Sequence, residues 1–419
     1  MMQVVQQCLN ANQVTPGPGS IFLKIVNARA NLSLILVQRL VKSTLAVKDV
    51  NQLLETLIGT INSVDEPFEA QSIGYYRTLL KTLFVILRAY QVASSKVATN
   101  TPDDLEGSIV NVTQTVLNIL DRVVARGFRT LVSLIHDREA DVFPEDLALL
   151  TAIMQACLSV PNIEQSQTPI LNIMASHDAT HAATSLYSWA DKLGDQGDPV
   201  YGELSILFLL ELSTLPALAE QLACDGVLGA ILSANLTKFM LRTNVSPYAE
   251  VPVAQRCYGI WVKGMLPLML NLLTALGATV APEITYVLNQ FPHLLRASVD
   301  RFEAPGASRT KEKSAQYLTL LGTAEVHSLA LLTRVLAALR MNNSRDIPPV
   351  EWDATSLLEN VDYWLSSRRL LKERLLPLGQ REMEWRGRKL SGDCDNLLEE
   401  KVVAQLETVR DVLSDEFEG

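Results

Sequence analysis

The stretch from Leu204 to Met240, LSILFLLELSTLPALAEQLACDGVLGAILSANLTKFM, limits what this chain can fold into more than any other. It holds helical runs divided by punctuation instead of loops. The first ends where Pro216 removes a backbone donor and opens a new turn. The second, Ala217 to Ala223, ends at the turn-forming pair Asp225-Gly226. A third starts at once, with Val227, Leu228, Ile231, Leu232 and Leu236 at helical spacing, and Gly229 and Ala230 small enough to admit a neighbouring helix. Short helices with no strand between them cannot bury their apolar faces alone. They must stack on similar units before and after, which is the logic of a helical solenoid.

The succession of a helix, an acidic residue, a glycine and then Val-Leu-Gly-Ala-Ile-Leu resembles the junction between armadillo repeats, carried by Gly226, Leu228 and Leu232. Composition agrees with a helical stack. With 419 residues, 48% hydrophobic and only 6% aromatic, the chain can bury a large core of Leu, Val, Ile and Ala. A net charge of −10 argues against direct nucleic-acid binding, which needs a concentrated basic face. Cys8, Cys157, Cys224, Cys257 and Cys394 are scattered, odd in number and without a CxxC pair. They suggest neither a disulfide framework nor zinc, and a reducing compartment is expected. The sequons at Asn31 and Asn235 are then idle, and Met1 to Asn12 lacks the apolar core of a signal peptide.

Taken in order, the chain opens with a short helix or poorly ordered segment over 1–19, cut off by Pro16-Gly17-Pro18-Gly19. Its weak, polar start suggests a piece of a longer solenoid. Ser20 can cap a helix to about Lys42, with Ile21, Ile25, Leu32, Ile35 and Leu36 inward. Asp49 caps the next, through Ile61. The pattern from about Pro67 to Ser94 puts Arg77, Lys81 and Arg88 on a wet face and Leu79, Leu80, Leu83, Phe84, Leu87 and Tyr90 inside. Asn100-Thr101-Pro102 breaks it. Asp103 to Asp137 is helical again, with Gly127 a candidate bend, and a loop over Gly194 to Pro199 precedes the organising stretch. Val253 to Leu276 is a long helix interrupted at Pro267. Arg301 to Arg309 is the best candidate for a mobile loop, Thr310 to Met341 a strong helix, and Asn342 to Pro349 a further loop. The expected fold is all-α: an irregular HEAT/armadillo-like α-solenoid of stacked helix pairs, continuous over 1–419. Helical repeats fill 20–341, and charged terminal helices over 350–419 cap the stack.

No phosphate loop, nucleophile elbow or kinase motif is present, so no catalytic or cofactor-binding residue is assigned. His177 and His181 share the spacing of a zinc-protease pair, but Asp178 stands where the glutamate should be and no third ligand follows, so they read as surface histidines. Gly264 to Pro282 is uncharged for long enough to suggest a membrane span. Pro267, Asn271, Thr274 and Gly277 favour a helix covered on both sides in a solenoid instead, and no transmembrane segment is expected. The basic stretch Arg368 to Lys389 carries Arg368, Arg369, Lys372, Arg374, Arg381, Arg386, Arg388 and Lys389 against Glu373, Glu382 and Glu384. Acidic residues from Asp393 onward reverse the sign. This end reads as a solvated cap or as a docking surface for an acidic partner or membrane surface.

An acidic, Leu-rich helical stack with an armadillo-like junction and the charged run Asn360-Val-Asp-Tyr-Trp-Leu-Ser-Ser-Arg-Arg-Leu-Leu-Lys-Glu-Arg-Leu-Leu resembles the carboxy-terminal region of the large inner-ring scaffold nucleoporins, the nucleoporin 188-like family. That resemblance implies an α-solenoid related in shape to nuclear transport receptors and a structural role in the nuclear pore complex at the nuclear envelope. It also implies contacts with other nucleoporins, Phe-Gly repeat segments and transport factors. It carries no binding residue over, because the family has no short motif to match. The reading is a non-enzymatic scaffold. The alternatives are a soluble armadillo-type adaptor or transport receptor, and a helical enzyme or enzyme regulator.

Overall fold

A computed structural model describes residues 1–13, 20–42, 46–97, 106–138, 141–194, 197–242, 245–305, 317–343, 347–390, 392 and 394–417. Contacts gather into two compact units, Met1–Leu186 and Tyr187–Gly419. Both are stacks of helices, and the fold class is the expected all-α, irregular HEAT/armadillo-like array. Among the described residues, extended pairing is limited to isolated bridges at Leu318–Leu375 and Lys389–Asn396.

Unit 1 runs through α1 (Met2–Asn10), α2 (Ser20–Leu40), α3 (Val47–Asn62), α4 (Ile73–Val97) and α5 (Glu106–Ile119). A π-helical turn, Leu120–Ala125, then leads into α6 (Arg126–His136), α7 (Pro144–Leu158), α8 (Gln167–Ser176) and α9 (Ala179–Ser188), inside which the division between units falls. Helix α1 packs on α2 and α3, both of these pack on α4, and α4 packs on α7. Leu79, Leu80, Leu83, Leu87 and Tyr90 are buried as the periodicity requires. Arg77 is not on the wet face expected of it. Its guanidinium clamps Asp146 at 2.6 and 2.7 Å, and Asp146 also accepts from the Phe143 N–H at 3.0 Å. A carboxylate that caps α7 needs a cation where it is buried, and Arg77 supplies it.

Three further expectations in this unit are corrected. Helix α2 turns Val26, Ala30, Ser33 and Val37 inward, while Ile21, Ile25, Leu32 and Ile35 stay 72%, 43%, 44% and 49% exposed and Leu36 half-buried. This helix has aliphatic residues on several faces, so periodicity leaves its rotation open. Small residues at 30 and 33 allow the close approach that decides it. The irregularity in the helix after residue 106 is the π turn, not a bend at Gly127, which packs against Phe68 and Leu150. Asp49 sits in the first turn of α3, whose N-cap is Ala46, and there complements the helix dipole.

Unit 2 continues through α10 (Ala190–Leu193), α11 (Val200–Leu212), α12 (Pro216–Cys224), α13 (Val227–Ser233), α14 (Asn235–Arg242) and α15 (Pro252–Ile260). The π turn Trp261–Met265 joins α15 to α16 (Leu266–Leu276), followed by α17 (Ala281–Asn289), α18 (Pro292–Asp300) and α19 (Leu320–Asn343). The end is α20 (Ala354–Ser366), α21 (Arg368–Arg374), α22 (Gln380–Gly387) and α23 (Leu397–Phe417). The organising stretch breaks where expected, with Pro216 opening α12 and Gly226 in the left-handed region at φ 67°. Its third run is two helices, because Ala234 is extended and Leu236 belongs to α14. Gly229 faces open space. The close approaches are elsewhere: a Cβ on Gly264 would lie 2.5 Å from Ile206, and one on Gly202 would lie 2.5 Å from Leu236. The widened turn before Pro267 absorbs the missing donor and the ring that would break a regular helix.

The charged end is built around a core. Trp364, Leu371, Leu398, Val402, Leu406 and Leu413 pack with Val299, Phe302 and Val326, and Trp364 donates its indole N–H to the Phe302 carbonyl at 2.7 Å. Arg301, expected in a mobile loop, is held in an ion pair with Glu325, its side chain only 10% exposed. The rest of that expected loop beyond 305, the Pro16-Gly17-Pro18-Gly19 stop and the Asn100-Thr101-Pro102 break lie outside the described residues, as do residues 344–346 of the Asn342 to Pro349 loop.

Candidate functional site

Three surfaces stand out as places where a partner could be held. The first is a cavity of about 560 Å³ in unit 1. Asp65, Glu66, Pro67 and Phe68, from the connection between α3 and α4, form one side, and Arg122 and Arg126, one turn apart on the π turn and α6, form another. Phe68 stacks edge-on against Tyr76 at 5.4 Å between centroids, and Leu134 and Val142 complete the apolar lining. Burial drives the Tyr76 hydroxyl far above the usual phenol range. A hydrogen bond to Glu66, and its charge, raise the Glu69 carboxyl. No sequence motif marked this cavity. The available signal was the acidic turn at 65–69 together with the i,i+4 arginine pair at 122 and 126.

The second surface is the outward face of α2. Ile21, Ile25, Leu32 and Ile35, with Ala28 between them, recur at alternating steps of four and three residues. That is the narrow seam by which helices pack on one another. Lys24 and Arg39 are exposed on the same helix, which carries no acidic residue.

The third is the basic stretch. Much of its charge is already used: Arg368 pairs with Glu407 at 2.8 Å, Lys372 with Asp395, and Arg369 with Glu373 at 3.4 Å. Arg381 stacks on Trp385 at 4.7 Å and Arg374 on Tyr317 at 5.9 Å. Arg386, Arg388 and Lys389 stay exposed and without an ionic partner among the described residues.

The other sequence candidates are not brought together. Helix α8 ends at Ser176, with His177 as its C-cap, and α9 begins at Ala179, with Asp178 at φ 52° between them, so His177 and His181 do not share one helix face. His177 meets Asp121 at 2.7 Å instead. No group of three potential metal ligands occurs among the described residues. Three helical segments, Ile21–Leu40, Pro252–Thr279 and Leu320–Asn342, are long and apolar enough to cross a membrane by length and composition. In the latter two, half or more of the apolar window is buried inside the protein, which accounts for its hydropathy.

Residues 53–413, from early α3 to the last turns of α23, match the family described as the nuclear pore protein NUP188 C-terminal domain. The chain belongs to this family. Nucleoporin NUP188 of Chaetomium thermophilum is 50% identical over 460 residues, covering 100% of this chain and 24% of its own length. Nucleoporin nup184 of Schizosaccharomyces pombe is 24% identical over 163 residues, covering 39% of this chain. Among solved structures, Nup188 residues 1445–1827 from Myceliophthora thermophila match at a TM-score of 0.76 and 57% identity, covering 87% of this chain and 98% of that one. The chain thus spans about a quarter of the length of the Chaetomium relative. Membership of this nuclear pore protein family places it in the nuclear pore complex at the nuclear envelope.

Proposed function

We propose that this Nup188 C-terminal domain acts without enzymatic chemistry. It holds other nucleoporins and takes up Phe-Gly repeat segments, and through them transport factors, in support of nucleocytoplasmic transport. The action of 1–419 as one continuous solenoid is part of the same proposal. The observation that carries it is the uncovered aliphatic seam of α2, where Ile21, Ile25, Leu32 and Ile35 stand exposed in a row about 20 Å long. Phenylalanines from an extended chain fit between such side chains. Each contact is weak because ordering a disordered segment offsets much of the contact energy, so useful affinity needs several at once. A Phe-Gly peptide with many phenylalanines therefore binds the chain, its Phe-to-Ser version does not, and binding survives moderate salt. Replacing Ile25, Leu32 and Ile35 together by Ser removes it in an immobilised-peptide assay. Equal binding of the two peptides would end this reading.

A further inference from the structure

The cavity of unit 1 is a poor match to an uncharged Phe-Gly repeat. Its lining is charged on two sides, and the opposite charges do not meet: Arg122 and Arg126 have no ionic partner among the described residues, and neither do Asp65, Glu66 and Glu69. Of the other nearby charges, Arg77 is held by Asp146 and by the Asp141 carbonyl and Arg129 meets Asp178 at 3.6 Å, while the Asp141 carboxylate adds one more acidic group to the lining. Phe68, Tyr76, Leu134 and Val142 share the same lining, with Phe68 packed between Tyr76 and Gly127 of α6. At about 560 Å³ the space suits a few side chains of an extended segment.

We propose that this cavity binds a mixed-charge linear segment of a partner protein. In that segment an apolar anchor seats on Phe68 and Tyr76, a neighbouring basic residue faces Asp65, Glu66 and Glu69, and a neighbouring acidic residue faces Arg122 and Arg126. The arginines, one helical turn apart, offer a carboxylate the paired N–H donors that guanidinium groups supply well. The facing carboxylates, two of them close enough to hydrogen-bond to each other, gain a counter-charge they lack in the free protein. Charge on both sides fixes the direction in which the segment lies, so specificity comes from its order of charges and affinity from the anchor.

The test uses the whole chain and two fluorescein-labelled peptides in a Gly-Ser background. Each has a central Leu, one with Lys before and Glu after it, the other with the order reversed. Fluorescence anisotropy gives saturable binding of one order in preference to the other, weakening as salt is raised. The double variants R122E/R126E and E66K/E69K each weaken it by about tenfold or more. Thr130→Trp, at a half-buried position of the lining, blocks it. Far-ultraviolet circular dichroism checks that each variant stays helical, and the Phe-Gly peptide binds all three as it binds the original chain. Failure of both peptides to bind, or undiminished binding after both charge reversals, overturns the proposal. If Thr130→Trp removes Phe-Gly binding while sparing the charged peptide, the cavity serves the repeats and the mixed-charge assignment falls.

Discussion

The two units solve the problem of a buried charge differently. In unit 2 the Glu325 side chain is wholly inaccessible, and everything it needs surrounds it. Tyr258 donates at 2.7 Å, Trp261 at 2.9 Å, and Arg301 pairs with it while stacking 5.0 Å over the Tyr258 ring. Burial, then the charge of Glu325, lifts the Tyr258 hydroxyl well above the phenol range, so it remains a donor. One carboxylate thereby ties α15, its π turn, the end of α18 and α19 together. In unit 1 the corresponding pair is Arg77 with Asp146, where the carboxylate is buried but the arginine stays 23% exposed and also holds the carbonyl of Asp141, a residue of the cavity lining. A buried network fixes one arrangement of several helices, whereas a pair whose arginine still reaches solvent pins one helix start.

The largest effect expected from breaking this contrast is at Glu325. Glu325→Ala leaves Arg301 buried without a counter-charge and two donors without an acceptor, a loss of about 3 to 5 kcal/mol. All five tryptophans, Trp189, Trp261, Trp352, Trp364 and Trp385, lie in unit 2, so tryptophan fluorescence during urea unfolding reads that loss directly. A midpoint unchanged from the original chain would show that the network contributes no stability.

A smaller effect is expected at Asp146. Asp146→Ala removes the acceptor of the Phe143 N–H and the partner of Arg77, and should cost about 1 to 3 kcal/mol, because solvent reaches the freed guanidinium. Unit 1 has no tryptophan, so the change belongs to the far-ultraviolet signal. A shift as large as that of Glu325→Ala would erase the distinction between the two sites.

The smallest concerns pH. Burial lowers the pKa of His327 on α19 below the free value of 6.5. Its folded form favours the neutral ring, so the unfolded chain binds more protons. Stability from this group is complete above about pH 6.5 and declines as pH falls through that value toward the folded pKa. Replacement by Gln should flatten that part of the stability profile slightly. An unchanged slope would show that His327 titrates as it does in the unfolded chain.

Much of the fold was legible because helix punctuation is local. Pro216, Gly226 and Pro252 act through their own φ angles and missing donors, and the structure breaks beside each of them. The burial of Leu79, Leu83 and Leu87 follows likewise from a single polar face. The cavity was not legible, since Glu66 and Arg122 are 56 positions apart in sequence and only packing brings them to one space. Arg301 was misread for a related reason: in a polar, glycine- and proline-containing run it looks solvated, and its partner Glu325 lies 24 residues on.

The sequence by itself determined that this is an all-α chain of short, stacked helices, because helical period, proline and glycine positions, and aliphatic composition are properties of neighbouring residues. Tertiary structure alone decided which face of α2 is covered, where the π turns fall and which charges are buried together. Those outcomes depend on how closely small residues such as Ala30 and Gly264 let helices approach. They depend equally on whether a distant side chain arrives to satisfy a polar group once water has been excluded.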